Sequence, residues 1–60
     1  MRDNIINVLK NCKKAVDIYE LQDLLEIKSV EDTSLLNEEL QKLENDVIIY
    51  RSNKNKYMML

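Results

Sequence analysis

Asn45 through Leu60 read NDVIIYRSNKNKYMML, and this stretch decides the fold. An apolar and aromatic run, Val47-Ile48-Ile49-Tyr50, leads to a polar break at Ser52-Asn53-Lys54-Asn55-Lys56. The apolar character then resumes at Tyr57-Met58-Met59-Leu60. Two β-prone segments around a short polar loop predict a hairpin with strands at Val47–Ser52 and Lys56–Leu60. The sequence contains no glycine, so Asn53 and Asn55 are the expected suppliers of positive φ in the turn. The run from Val47 to Tyr50 does not alternate, so it leaves open which face is buried. An isolated hairpin is unstable in water, so this one must lie on something apolar.

Upstream, the chain reads as helix. Ile5, Ile6, Val8, Leu9 and Cys12 recur on one helical face, with Asp3 or Asn4 as the N-cap. Lys10, Lys13 and Lys14 follow at its C-terminal end, where cations complement the helix dipole. A second helix begins at DIYELQDLLE, where Asp17 and Glu20 have capping-box spacing. Its expected stripe is Ile18, Leu21, Leu24 and Leu25. After a turn at Ile27-Lys28-Ser29, a third helix is capped by Asp32 or Ser29 and carries the stripe Leu36, Leu40 and Leu43, with Leu35 at its border. It should end near Asn45-Asp46, residue types that tolerate left-handed backbone. A brief strand at Ala15-Val16 would pair with the hairpin. Helix, short strand, helix, turn, helix, hairpin is the order of an α+β winged helix. The second and third helices would form the helix-turn-helix and the C-terminal β-hairpin the wing.

Sixty residues form one domain, 1–60. A chain of this size buries only about 60 % of the surface its unfolded form exposes, so its stability is of order a few kcal/mol. With Cys12 alone there is no internal disulfide, and the absence of His removes the Cys/His metal clusters. Cys12 reads as a small buried hydrophobe in a reducing compartment. No apolar run is long enough to span a membrane and the N-terminus lacks a secretory pattern, so a cytoplasmic protein is expected. No glycine-rich phosphate loop and no nucleophile–base pair is readable. Asp17, Glu20, Asp23 and Glu26 recur every three residues, but exposed acids are the default for a solvated helix face.

The net charge of −2 conceals a segregation. Residues 1–14 carry +3, residues 15–46 carry −8 and residues 47–60 carry +3. Around the third helix, Glu31, Asp32, Glu38, Glu39 and Glu44 face only Lys42. Such a helix is poorly suited to the phosphate-lined major groove, despite the polar Thr33, Ser34, Asn37 and Gln41 on its outer side. The hairpin is different. Arg51, Lys54 and Lys56 beside Tyr50 and Tyr57 suit backbone contact and base stacking on a nucleic acid, with Lys13 and Lys14 as further candidates. The same charges could instead guard an edge strand against aggregation, and the tyrosines could cap the core.

The segment LQKLENDVIIYRSNKNKY, preceded by YELQDLLEI, resembles the N-terminal winged-helix domain of ribonuclease R, a bacterial 3′→5′ exoribonuclease type within the ribonuclease II family. The matching features are Leu40 and Leu43-Glu44 closing the third helix, Ile49 in the first strand of the hairpin, then Arg51, Lys54-Asn55-Lys56 and Tyr57. Their spacing fits the family without a gap. Where the family leaves the third helix through a glycine, Val47 stands here, so Asn45 or Asp46 is expected to take the left-handed turn. The resemblance implies an accessory RNA-binding domain, a fragment of a larger chain, that helps capture or open structured RNA. It also implies a parent nuclease whose catalytic aspartates and divalent Mg lie outside these residues. No catalytic residue carries over to this segment. With about three to five phosphate contacts, a monomeric domain should bind RNA weakly and non-specifically, near roughly 10⁻⁴ to 10⁻⁶ M. Two other readings remain open: a DNA-binding transcriptional regulator, and a protein–protein module that uses the acidic third helix.

Overall fold

The computed structural model describes every residue from Met1 to Leu60. Three helices, α1 (Arg2–Asn11), α2 (Ile18–Leu24) and α3 (Val30–Asn45), precede the strands β1 (Ile49–Arg51) and β2 (Tyr57–Met59). The strands form an antiparallel hairpin in which Ile49 faces Met59, Tyr50 faces Met58 and Arg51 faces Tyr57. The architecture is a small α+β fold, compatible with the helix and hairpin order expected from the sequence.

The core is the sum of the helical stripes. Ile5 and Leu9 of α1, Leu21 of α2 and Leu36, Leu40 and Leu43 of α3 are buried, together with Val16 and Ile49. No buried residue is polar or charged, so the side-chain interior is entirely apolar. Spacings of three and four place each stripe on one face of its helix. The expected α2 stripe is narrower than its sequence suggested. Leu24 is 53 % exposed, while Ile18 and Leu25 are only partly buried. Seven residues give α2 two turns, too few to present four apolar positions to one neighbour. Cys12 is half-buried against the core.

The helix starts show how local chemistry competes. Asp17 caps α2, its carboxylate accepting from the Glu20 N–H at 2.9 Å. Ser29 caps α3, its hydroxyl accepting from the Asp32 N–H at 3.1 Å. Asp32 thus serves as the N3 partner rather than as the cap. α1 begins at Arg2 with Met1 in the cap position and no side-chain cap bond, so neither Asp3 nor Asn4 caps it. Asp3 lies instead in the first turn, where its charge favours the positive end of the helix dipole.

Both α2 and α3 stop without glycine. After α3, the Val47 N–H donates to the Glu44 carbonyl and the Ile48 N–H to the Leu43 carbonyl. After α2, Glu26 and Ile27 make the equivalent bonds to Asp23 and Gln22. Each pair of bonds is a Schellman motif, which needs left-handed backbone at the residue after the cap. Glu26 and Val47 supply it, with φ of 56° and 60°. The expectation for Asn45 or Asp46 is therefore corrected: Asn45 is still helical, Asp46 has φ −81°, and the β-branched Val47 takes the turn. The reason lies one residue on. Ile48 must fold back onto the core beside Leu43, and only a left-handed residue at position 47 returns the chain that way.

Strand pairing extends beyond the hairpin. Val16 bridges Tyr57 in antiparallel fashion through bonds of 2.9 and 2.6 Å, as anticipated for Ala15-Val16. β2 thus lies between the Val16 segment and β1. The strands are shorter than the spans read from sequence, because Val47 and Ile48 are consumed in leaving α3 and Ser52 and Lys56 in closing the loop.

Candidate nucleic-acid interface

The hairpin tip is organised by Ser52. Its N–H donates to the Lys56 carbonyl at 2.8 Å and its carbonyl accepts from the Asn55 N–H at 3.0 Å. Its hydroxyl oxygen accepts from the N–H groups of Lys54 and Lys56 at 3.3 and 3.2 Å. Asn55 takes the left-handed conformation with φ 60°, as one of the two expected asparagines, whereas Asn53 does not. This is a three-residue loop closed by a turn and a left-handed residue. It holds Lys54 at the exposed apex and Lys56 half-exposed at the base. Neither lysine has a carboxylate within salt-bridge distance.

Register divides the candidate residues between two faces. Ile49 is buried and Tyr50 is 47 % exposed, which answers the question left by the non-alternating run. Strand alternation puts Arg51 on the face of Ile49, and Tyr57 lies directly opposite Arg51 on that face. Tyr50 and its partner Met58 turn to the other face, toward solvent. Tyr57 spends its backbone bonds on Val16, so the Arg51–Tyr57 pair is the non-hydrogen-bonded kind, whose side chains stand closer together. Lys13 and Lys14 are exposed and lead into Val16, on the edge of β2 opposite Arg51.

The inner face of the hairpin and the adjacent side of α3 enclose a cleft of about 390 Å³. It is lined by Asn37, Gln41, Glu44 and Asn45 of α3 and by Arg51 and Tyr57 of the hairpin. Asn37, Gln41 and Asn45 are spaced by four, so one helical stripe presents three carboxamides in a row. Glu31, Asp32, Glu38 and Glu39 do not line it. Asp32 and Glu39, seven residues apart, sit on the flank of α3 turned away. The only carboxylate in the cleft, Glu44, lies 3.6 Å from the Arg51 guanidinium. Both side chains keep roughly a third to a half of their exposure, so the pair fixes their mutual position more than it adds stability. One cation of the hairpin is thereby balanced by the helical body, and the two lysines are not.

The carboxamide row is the part that sequence reading missed. Asn37 and Gln41 were visible as outer polar residues, but the acidic count of the whole helix obscured them. Separating the stripes of α3 by their period, and asking which one Arg51 would face, would have isolated the row. No group of three or more carboxylates or thiols is arranged to hold a metal ion, and no helix is long and apolar enough to cross a membrane. Compared with protein-family models, curated proteins and solved structures, the chain matches none.

Proposed function

We propose that this chain is a winged-helix domain that binds single-stranded RNA, with α2 and α3 as its helix-turn-helix and the β1–β2 hairpin as its wing. The observation that carries this reading is the cleft between α3 and the hairpin. There, three neutral carboxamides meet a guanidinium and an aromatic ring, below a tip with two unpaired lysines. Neutral amides offer donors and acceptors to bases without repelling phosphate. The lysines supply the sequence-independent attraction, and Tyr57 offers a surface for stacking. Lys13 and Lys14 extend the cationic area along the far edge of β2, and Tyr50 offers a second ring on the outer face.

A single strand suits this arrangement better than a duplex. Laying α3 in a major groove would bring phosphates against its outer ridge and far flank, where Glu31, Asp32, Glu38 and Glu39 stand. An unstacked strand can instead cross between α3 and the hairpin and avoid those acids. The resemblance to the N-terminal domain of ribonuclease R-type exoribonucleases supports an accessory role in a larger cytoplasmic nuclease. In that setting the domain would act as a monomeric unit that captures RNA. The Mg and the catalytic aspartates would belong to the rest of the enzyme.

The test is a titration of labelled single-stranded RNA, duplex RNA and duplex DNA at two salt concentrations. Single-stranded RNA should bind most tightly, near roughly 10⁻⁴ to 10⁻⁶ M, and weaken as salt rises. Changing Arg51, Lys54 and Lys56 together to Glu should abolish that binding while the far-ultraviolet circular dichroism stays unchanged. An unaltered affinity in the triple variant would remove the hairpin as the site. A preference for duplex DNA would favour a transcriptional regulator. Absence of any nucleic-acid binding would favour a protein partner docked on the acidic flank of α3.

A further inference from the structure

We propose that the cleft between α3 and the hairpin takes one unstacked adenine base of the bound strand, read by the carboxamides of Asn37, Gln41 and Asn45. The inference rests on the RNA-binding reading and adds a base preference to it. The argument runs by size, charge and hydrogen-bond chemistry. A volume of about 390 Å³ lies in the range of small-ligand sites, roughly 300–1,000 Å³, and is too small for a folded partner. The cleft contains one cation and one carboxylate within 3.6 Å of each other. It therefore lacks the surplus of positive charge that a phosphate cluster needs and the set of carboxylates that a metal ion needs. What remains is neutral, planar and able both to donate and to accept.

That description fits a base edge. Asn and Gln carboxamides pair in bidentate fashion with adenine, accepting from N6 and donating to N7. Guanine is read mainly by Arg or Lys and cytosine by an acid. In this cleft the only guanidinium and the only carboxylate already face each other, which leaves the amides as the readers. Three amides at successive turns let the base be met at more than one height along α3. Tyr57 forms the opposing wall. Its backbone is bonded to Val16 and its side chain is partly buried against the core, which restrains the ring before the base arrives. Lys54 and Lys56 lie within five residues of Arg51, positioned for the phosphates that flank the base.

The experiment uses a short oligo(U) RNA with its central position left as U or changed to A, G or C, followed by fluorescence anisotropy with the whole chain. The oligonucleotide with a central A should bind about tenfold more tightly than the others. Gln41→Leu, at an exposed site, should erase that preference by bringing the central-A oligonucleotide down to the affinity of the other three, and Asn37→Leu should reduce it. Equal affinity for all four, a preference for G or C, or an A preference that survives both variants would overturn the assignment and leave RNA binding by the hairpin intact. Failure of every oligonucleotide to bind would overturn both readings together. AMP offered alone should not saturate the protein at concentrations where the central-A oligonucleotide does. Saturation by AMP at the same affinity would make the cleft a free-nucleotide site and sink the proposal of a base within a strand.

Discussion

The helical body and the hairpin are held by different means. Seven of the eight buried residues belong to the helices and to the Val16 segment, and the hairpin contributes only Ile49. The body rests on interlocked apolar stripes, each side chain buried by several others. The hairpin rests on one fully buried residue, on the partly buried Tyr57 and Met59, on the Val16–Tyr57 bridge and on the hydrogen bonds of its loop. Residues proposed to touch RNA are concentrated in the weakly anchored part and on the α3 stripe that faces it. This division is common where a rigid scaffold carries an adaptable binding element. It teaches that the two parts should respond differently to the same kind of damage.

The sharpest test removes one buried aliphatic side chain from each. Leu40 is 1 % exposed and Ile49 is 2 % exposed. Truncating either to Ala should cost about 2–5 kcal/mol through lost transfer energy and a residual cavity. In a domain with only a few kcal/mol to lose, Leu40→Ala should unfold the whole chain, read as loss of the cooperative thermal transition. Ile49→Ala should instead release the hairpin first. Its hydrogen exchange should show fast amides at Val16, Ser52 and Tyr57 while those of Leu40 and Leu43 stay protected. If Ile49→Ala also abolishes the transition, body and hairpin are one cooperative unit and the contrast fails.

A smaller effect is expected from the loop itself. Ser52→Ala removes the hydroxyl that accepts from Lys54 and Lys56. At a solvent-exposed tip the loss should be about 1 kcal/mol, visible as a lowered urea midpoint. RNA affinity should fall further than stability does, because Lys54 and Lys56 lose their common fixed point. Equal affinity in Ser52→Ala would mean that the lysines act as freely moving charges.

Much of the body was legible because helical periodicity is a local signal. Ile5 and Leu9, Leu21, and Leu36, Leu40 and Leu43 announce themselves by spacing, and each is buried. Asp17 as a cap, the strand at Val16 and the left-handed Asn55 follow from residue chemistry within a few positions. The failures share a cause, namely that a distant contact outweighs a local preference. Val47 is a poor left-handed residue, yet burial of Ile48 beside Leu43 imposes that backbone on it. The start of α1 moves ahead of Asp3, and there Arg2 reaches Asp46 at 3.0 Å, a contact across 44 positions that no local rule anticipates. The candidate site was half legible for the same reason. The cations and tyrosines of the hairpin could be read from composition, but their division between two faces depends on register. The carboxamide row acquires meaning only when Arg51 is set opposite it.

The smallest predicted effect concerns the hinge between the two regions. Left-handed backbone costs a residue with a side chain about 1–2 kcal/mol, and glycine escapes that cost but returns about 0.5–1 kcal/mol as extra freedom in the unfolded chain. Val47→Gly should therefore raise stability by roughly 0.5–1 kcal/mol. Glu26→Gly should gain less, because Glu is not β-branched and crowds the backbone less. The two urea midpoints should rank in that order at constant m-value. Val47 also sets the angle at which β1 leaves α3, and so the width of the cleft. With Val, the turn is strained, because a branched residue prefers extended backbone, and the Schellman bonds and the burial of Ile48 hold it closed; with Gly, the same turn is less strained but less confined. If that confinement shapes the cleft, Val47→Gly should be more stable and yet bind RNA more weakly. A variant that gains stability with no change in affinity would show that the Ile48–Leu43 contact alone holds the hairpin in position.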